Sequence, residues 1–188
     1  MAVANKVKYG LKSVHYAVIT EGVGGAITYG TPKPIPGAVS MALTPRGESA
    51  EFHADDVEYW RQNTNTGYEG DLEMALIPDS FRIDVLGEIE DLNGAIVENA
   101  NAVVKNFALL GEMDGDKHKM RFVLYNCLAN RPNFGSTTTT ATREPQVETL
   151  AIVAMPAIGT GDVKTKIKEG DTGYGTFFAT VYLKDLTP

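Results

Sequence analysis

Apolar and polar positions alternate with period two through much of the chain, the spacing of a strand with one face buried. Val39, Met41 and Leu43 point one way while Ser40, Ala42 and Thr44 point the other. From Met120 to Asn126, Met120, Phe122 and Leu124 oppose Arg121, Val123 and Tyr125. Phe107, Leu109 and Gly111 oppose Ala108, Leu110 and Glu112, so this segment is apolar on both faces and predicts a strand buried on both sides. Val14 to Thr20, Val57 to Gln62, Leu150 to Met155 and Thr176 to Leu183 extend the pattern, the last rich in strand-forming Thr, Phe, Val and Tyr. About eight to ten strands follow from this pattern. One helix stands against them: Asp79 after Pro78 is its expected N-cap, Phe81, Val85 and Ile89 recur at four-residue spacing, and Gly87 is its expected left-handed C-cap. At about two turns it cannot stand alone and must pack Phe81 and Val85 on a sheet. The fold class is all-β with one short flanking helix.

The connections sharpen this picture. Thr31 to Gly37 has proline at every second place, Pro32, Pro34 and Pro36, and predicts an extended rigid arm. Asp114 to Lys117 reads as a hairpin turn. Gly135 to Thr142 is polar and simple in composition, either a solvated loop or a Thr-rich edge strand. Ala157 to Gly175, with five glycines, reads as a long mobile loop. No internal repeat and no linker divides the chain, so 1–188 is expected to be one domain, with residues 1–12 as an N-terminal arm and 157–175 as a glycine-rich loop. A chain of 188 residues can remove roughly 70% of its extended surface from water, enough for a core without staples. Cys127 is the single cysteine, which excludes an intramolecular disulfide and a cysteine metal cluster. No apolar run approaches the ~20 residues of a membrane-spanning helix, so no membrane anchor is expected. Lys6, Lys8 and Lys12 are followed by no apolar segment of a signal peptide, and folding in a reducing cytoplasm is expected. With 17 basic and 24 acidic residues the net charge is −7 and no basic run exists, which argues against gripping a nucleic-acid backbone.

Chemistry is sparse. Gly22-Val23-Gly24-Gly25 fails the dinucleotide spacing because position 27 is Ile, and no Lys-Ser/Thr follows as a phosphate loop requires. Asp114 and Asp116 resemble the start of a calcium loop, but the twelfth position is Tyr125 where a bidentate Glu is needed. His15, His53 and His118 have no metal-ligand spacing, Cys127 follows an apolar strand, and no serine sits in a Gly-x-Ser-x-Gly elbow. The acidic pairs Asp55-Asp56 and Glu90-Asp91 sit in expected turns, without the burial that raises a carboxyl pKa. No catalysis, metal or cofactor is expected. One pattern rises above this background. Between Gly67 and Leu76, Tyr68, Leu72, Met74 and Leu76 share one face while Glu69, Asp71 and Glu73 share the other. Three carboxylates about 7 Å apart repel one another and add nothing to packing, so they mark a solvent-facing strand or a surface selected to be anionic.

Several segments in order resemble the major tail protein (tail tube protein) family of siphophages, the long non-contractile-tailed bacteriophages, of Gram-positive bacteria. They are Asn5 to Leu11, Ile35 to Val39, Gly67 to Glu73 running into Ile77-Pro78-Asp79, Val85 to Glu88, Phe107 to Leu110, Asp114 to Asp116, Phe122 to Cys127, Arg131-Pro132 and Glu148 to Leu150. Gly111-Glu112-Met113 departs from the bulkier aromatics of the family, and residues after Ala157 match least. The resemblance implies a tail-tube β-sandwich or half-barrel. Six copies would form a ring, and rings would stack into the hollow conduit for DNA ejection. Three segments are the implied arms: Thr44 to Thr66, then Ala2 to Lys12, then 157–175. Arg46, Glu48, Phe52, Asp55, Tyr59 and Trp60 are the expected inter-ring or inter-subunit contacts. Glu69, Asp71 and Glu73 would face the lumen, where DNA passes without specific binding. The implied partners are further copies of the chain, a tape-measure protein and tail-terminator or tail-completion proteins. The implied location is the virion tail, assembled in the host cytoplasm. The alternative is a β-sandwich receptor- or carbohydrate-binding virion module, which would expose aromatics such as Tyr59, Trp60 and Tyr68.

Overall fold

Alternating side chains can bury one face only if their strands pair, and thirteen strands do so in the computed structural model, which describes residues 4–138 and 144–185. In chain order they are β1 (Lys8–Glu21), β2 (Ile27–Tyr29), β3 (Lys33–Ile35), β4 (Ala38–Arg46), β5 (Ser49–Ala54), β6 (Val57–Asn63) and β7 (Gly67–Met74). After the helical segment come β8 (Ile89–Glu90), β9 (Ile96–Val97), β10 (Phe107–Gly115), β11 (Met120–Ala129), β12 (Glu148–Met155) and β13 (Lys164–Lys168). Nine strands form one antiparallel sheet in the order β2-β1-β10-β11-β12-β7-β4, with β3 also paired to β1 and β13 to β11. Strand β11 forks: Met120 to Leu124 pair with β13, whereas Asn126 to Ala129 pair with β12. Register shifts bend β1 between Tyr9 and Leu11 and between Lys12 and His15. The sheet therefore curls until β4 approaches β1 without pairing to it, an open half-barrel.

The doubly apolar strand β10 lies where its pattern requires. Phe107 and Leu109 enter one buried cluster with Tyr16, Leu72, Phe81 and Leu150, while Ala108 and Leu110 enter a second with Val123, Tyr125, Ile167 and Phe177. The helix has the two-turn extent and the Gly87 stop that its spacing predicts, but it is differently wound. An α-turn α1 (Asp79–Phe81) runs directly into a π-helical turn, Arg82–Leu86. Pro78 occupies the N-cap position with no side-chain cap, whereas Gly87, at φ 78°, closes the segment in the left-handed conformation. Ile89 is not on the helix; it is exposed in β8. Phe81 is fully buried and meets Tyr16 and Phe107 edge-on, at 5.0 and 5.3 Å between ring centres. Asp84 ties the segment to the Pro-rich arm, accepting hydrogen bonds from Lys33 at 2.5 Å and Tyr16 at 2.8 Å. Burial raises the Asp84 carboxyl pKa, but these bonds outweigh it and hold the pKa below the ordinary value.

Two further expectations are corrected. The stretch 157–175 is not one long loop: β13 lies inside it, and Ile167 is buried. Thr176 to Leu183 is not a strand but a series of turns that lays Phe177 and Val181 on the second cluster. Of the polar segment 135–142, residues 139–142 lie outside the described residues, and 135–138 are exposed and irregular. Near the N-terminus, Asn5 bonds to the turn before β11, donating to the His118 carbonyl at 2.7 Å and accepting from the His118 amide at 2.8 Å. Gly111 is required by the neighbouring strand, because a Cβ there would sit 2.6 Å from the Phe122 ring.

A buried ion pair secures the turns that follow β13. Glu112 is 5% exposed and accepts a hydrogen bond from Arg121 Nε at 2.7 Å and from the Tyr174 hydroxyl at 3.0 Å. The Arg121 guanidinium lies 3.9 Å from the Tyr174 ring centre and 4.5 Å from that of Phe178, and also donates to the Tyr174 carbonyl.

Candidate assembly surfaces

Strand β7 places its carboxylates as the alternation predicts. Leu72 and Met74 are fully buried, Glu69 and Asp71 are exposed, and Glu73 is half-buried on the outer face. Leu76 falls beyond the end of the strand and is exposed. The neighbouring strand moderates the charge. Arg46 Nε lies 3.2 Å from Glu69, and Ser40 Oγ donates to Glu73 at 2.8 Å. Asp71 alone of the three has no side-chain partner among the described residues. Arg46, expected at a contact between subunits, also pairs with the acidic face of its own chain.

Beyond Arg46 and Gly67, β4 and β7 continue past the sheet as the hairpin β5–β6, which pairs with no other strand among the described residues. Two bonds carry the ladder across the junction: Thr66 N–H to Arg46 C=O at 3.0 Å and Thr64 N–H to Glu48 C=O at 2.9 Å. Gly47 permits the crossing, since a Cβ there would come within 1.9 Å of the Thr64 carbonyl oxygen. The nine residue-to-residue steps from Arg46 to Asp55 reach about 30 Å at the rise of an extended strand.

The hairpin is amphipathic although nothing among the described residues covers it. Phe52 pairs across from Trp60 and Ala54 from Val57, giving one apolar face; Glu51 opposite Arg61 and His53 opposite Glu58 give the other. Arg61 binds Glu51 at 2.7 Å and Glu58 at 2.6 Å on that polar face. Tyr59 is the extra residue of a bulge. Phe52 is 58% exposed, Val57 58%, Tyr59 72% and Trp60 48%, an apolar group that a monomer has no use for. The turn is Asp55-Asp56, with φ 53° and 59°, the double left-handed geometry in which Asn-Gly is favoured. Of the expected contact residues, Phe52, Asp55, Tyr59 and Trp60 therefore share one projecting hairpin, with Glu48 at its base. Tyr68 does not join them; it lies in the mouth of the half-barrel beneath Lys164.

Residues that could carry chemistry are dispersed. His15 stacks on Phe178 at 4.5 Å, His53 is on the hairpin and His118 is in the turn before β11. Cys127 is fully buried and burial pushes its pKa up to about 12, so its thiolate is inaccessible. A thiol-specific reagent is expected to leave the native protein unlabelled at neutral pH and to label one site after denaturation; rapid native labelling would contradict this burial. Sequence reasoning missed the Glu112–Arg121 pair, whose signal was a charge on an otherwise doubly apolar strand opposite Arg121.

Residues 3–123, more than half of the chain, match the phage tail tube protein family. The chain belongs to that family. It is a structural subunit of a phage tail tube, with its place in the virion tail, and the family is one of self-assembling structural proteins, not catalysts. No curated protein matches the chain. Among the described residues, no helix is long and apolar enough to cross a membrane.

Proposed function

We propose that six copies of this tail tube protein close into a ring and that rings stack into the hollow conduit through which DNA is ejected. The observation that carries the reading is the β5–β6 hairpin, an arm with an uncovered apolar face extending past its own sheet. Ring closure calls for a head-to-tail contact, and the free edge of β4 offers backbone groups for pairing with a neighbour. Stacking calls for an element that reaches beyond the ring, and the hairpin has the length and the exposed aromatics for it. The outer face of β7 and β4 is assigned to the lumen. Glu69, Asp71 and Glu73 there offer phosphates no ammonium partners, and Arg46 is already engaged by Glu69, so passing DNA releases no counterions and does not stick. Assembly in the host cytoplasm, around a tape-measure protein and closed by terminator or completion proteins, completes the reading.

Negative-stain electron microscopy of the concentrated protein is the test. Hollow tubes or six-fold rings are expected. The exposed Phe52, Tyr59 and Trp60 also suit a carbohydrate- or receptor-binding module. Protein that stays dispersed and binds one glycan or cell-wall component specifically would establish that second reading and overturn the first. The lumen assignment is separate: a tube reconstruction with all three carboxylates on the outer wall would overturn it alone.

A further inference from the structure

The half-barrel has an open mouth where β1, β4 and β13 come together. It is a cleft of about 460 Å³, within the range of pockets that accept a bulky apolar group. Its floor is apolar, formed by Leu11, Met41, Leu43, Phe122 and Leu124. Its rim is cationic, carrying Lys8, Lys164 and Lys166. Lys164 is engaged within the chain, donating to the Tyr68 hydroxyl with its ammonium 4.2 Å from the ring centre. Lys8 and Lys166 are exposed and have no side-chain partner among the described residues. In a chain of net charge −7, two unpaired lysines over an apolar floor are a specific feature.

The same chain carries the complement. The hairpin tip presents Phe52 and Trp60 side by side on its apolar face and Asp55 and Asp56 at its turn, neither carboxylate holding a side-chain partner among the described residues. No Lys or Arg lies between Glu48 and Trp60. Both central turn positions hold aspartate in a backbone geometry that Asn-Gly would adopt at lower cost, so the turn keeps its charges against local preference.

We propose that the cleft between β1, β4 and β13 receives the β5–β6 tip of a second copy of this chain, Phe52 and Trp60 against its apolar floor and Asp55 and Asp56 against Lys8 and Lys166. This rests on the reading of the hairpin as the arm between rings. The contact is heterologous, joining different surfaces of two copies, and so it repeats without closing and propagates along an axis. Apolar burial supplies the affinity, while the charges fix the register and reject a cleft approached the wrong way round.

Cross-linking tests it. Unlabelled and 15N-labelled protein are mixed at high concentration and treated with a zero-length carbodiimide, which joins a carboxylate to an ammonium in contact. Mass spectrometry is expected to find Asp55 or Asp56 of one isotope joined to Lys8 or Lys166 of the other. Intermolecular links that avoid these residues, or none at all, overturn the docking site. A second measurement follows self-association by sedimentation velocity. Lys8→Glu with Lys166→Glu is expected to weaken it about tenfold or more, and adding Asp55→Lys with Asp56→Lys to restore it. Asp55→Asn with Asp56→Gly separates charge from turn geometry: the turn becomes firmer, yet association is expected to fall. Unchanged association in these variants overturns the proposal. The stacking reading is scored apart, by microscopy: tubes that form without these links leave stacking intact and overturn only the cleft.

Discussion

Arg121→Ala is expected to cost about 1.5–3 kcal/mol of stability, the usual penalty for losing hydrogen bonds to a charged group that is largely shielded from water. The side chains of Arg121 and Glu112 are only 18% and 7% exposed, so the pair is largely shielded from water. The substitution leaves the Glu112 carboxylate to the Tyr174 hydroxyl and to the Lys12 ammonium 3.7 Å away, frees the Tyr174 carbonyl and removes the cation that lies over Tyr174 and Phe178. The turns from Asp171 onward should loosen with it, uncovering Phe177 on the second core cluster. Thermal and denaturant unfolding measure the loss, and a change within about 0.5 kcal/mol would show that the pair contributes nothing beyond an ordinary surface contact. Acid should produce part of the same effect. Burial raises the Glu112 pKa, but the bonds from Arg121 and Tyr174 outweigh it and hold the folded value below the ordinary 4.5. The stabilisation is therefore complete above about pH 4.5 and is lost as pH falls through the lower folded value. Glu112→Gln should be less stable at neutral pH and show a flatter acid limb; an acid limb identical to that of the parent protein would assign the pH dependence to other carboxylates.

Phe52→Ser combined with Trp60→Ser is expected to abolish tube formation while leaving the fold untouched. Both side chains are exposed on a hairpin that pairs with no other strand among the described residues, so unfolding free energy should shift by no more than about 0.5 kcal/mol. At an interface each buried aromatic of this kind contributes about 2 kcal/mol or more, and the loss recurs at every subunit that offers a hairpin. The pelletable polymer and the micrographs report assembly, while the melting temperature reports folding. Wild-type amounts of tube from the double variant would remove the hairpin from the stacking contact.

The sequence carried the sheet well because period two is a local signal. Val39 to Thr44, Phe107 to Glu112 and Met120 to Asn126 each announced their faces, and the alternation from Tyr68 to Met74 placed three carboxylates outside correctly. What it could not carry depends on tertiary context. Thr176 to Leu183 has strand-forming residues but no free strand to pair with, so Phe177 and Val181 pack as a cover instead. Lys164 to Lys168 alternates too briefly to stand out among glycines, yet the fork in β11 supplies its partner. The winding of Arg82–Leu86 into a π-turn was likewise invisible, because the same apolar spacing suits either helix. Of the assembly surfaces, the aromatic hairpin was legible as a list of residues, but its isolation from the core was not. Nor was the pairing of Arg46 with Glu69 within the chain.

The hairpin and the sheet edge are one continuous pair of strands, β4 into β5 and β6 into β7, joined through Gly47. In a tube linked by these arms, a bending or stretching load enters each subunit along the length of β4 and β7. The hydrogen bonds that tie β7 to β12 are then strained side by side and not opened one after another. A tail built this way resists tension as a seam under shear, and its compliance is concentrated where arm meets body, at Gly47 on one strand and Gly67 on the other.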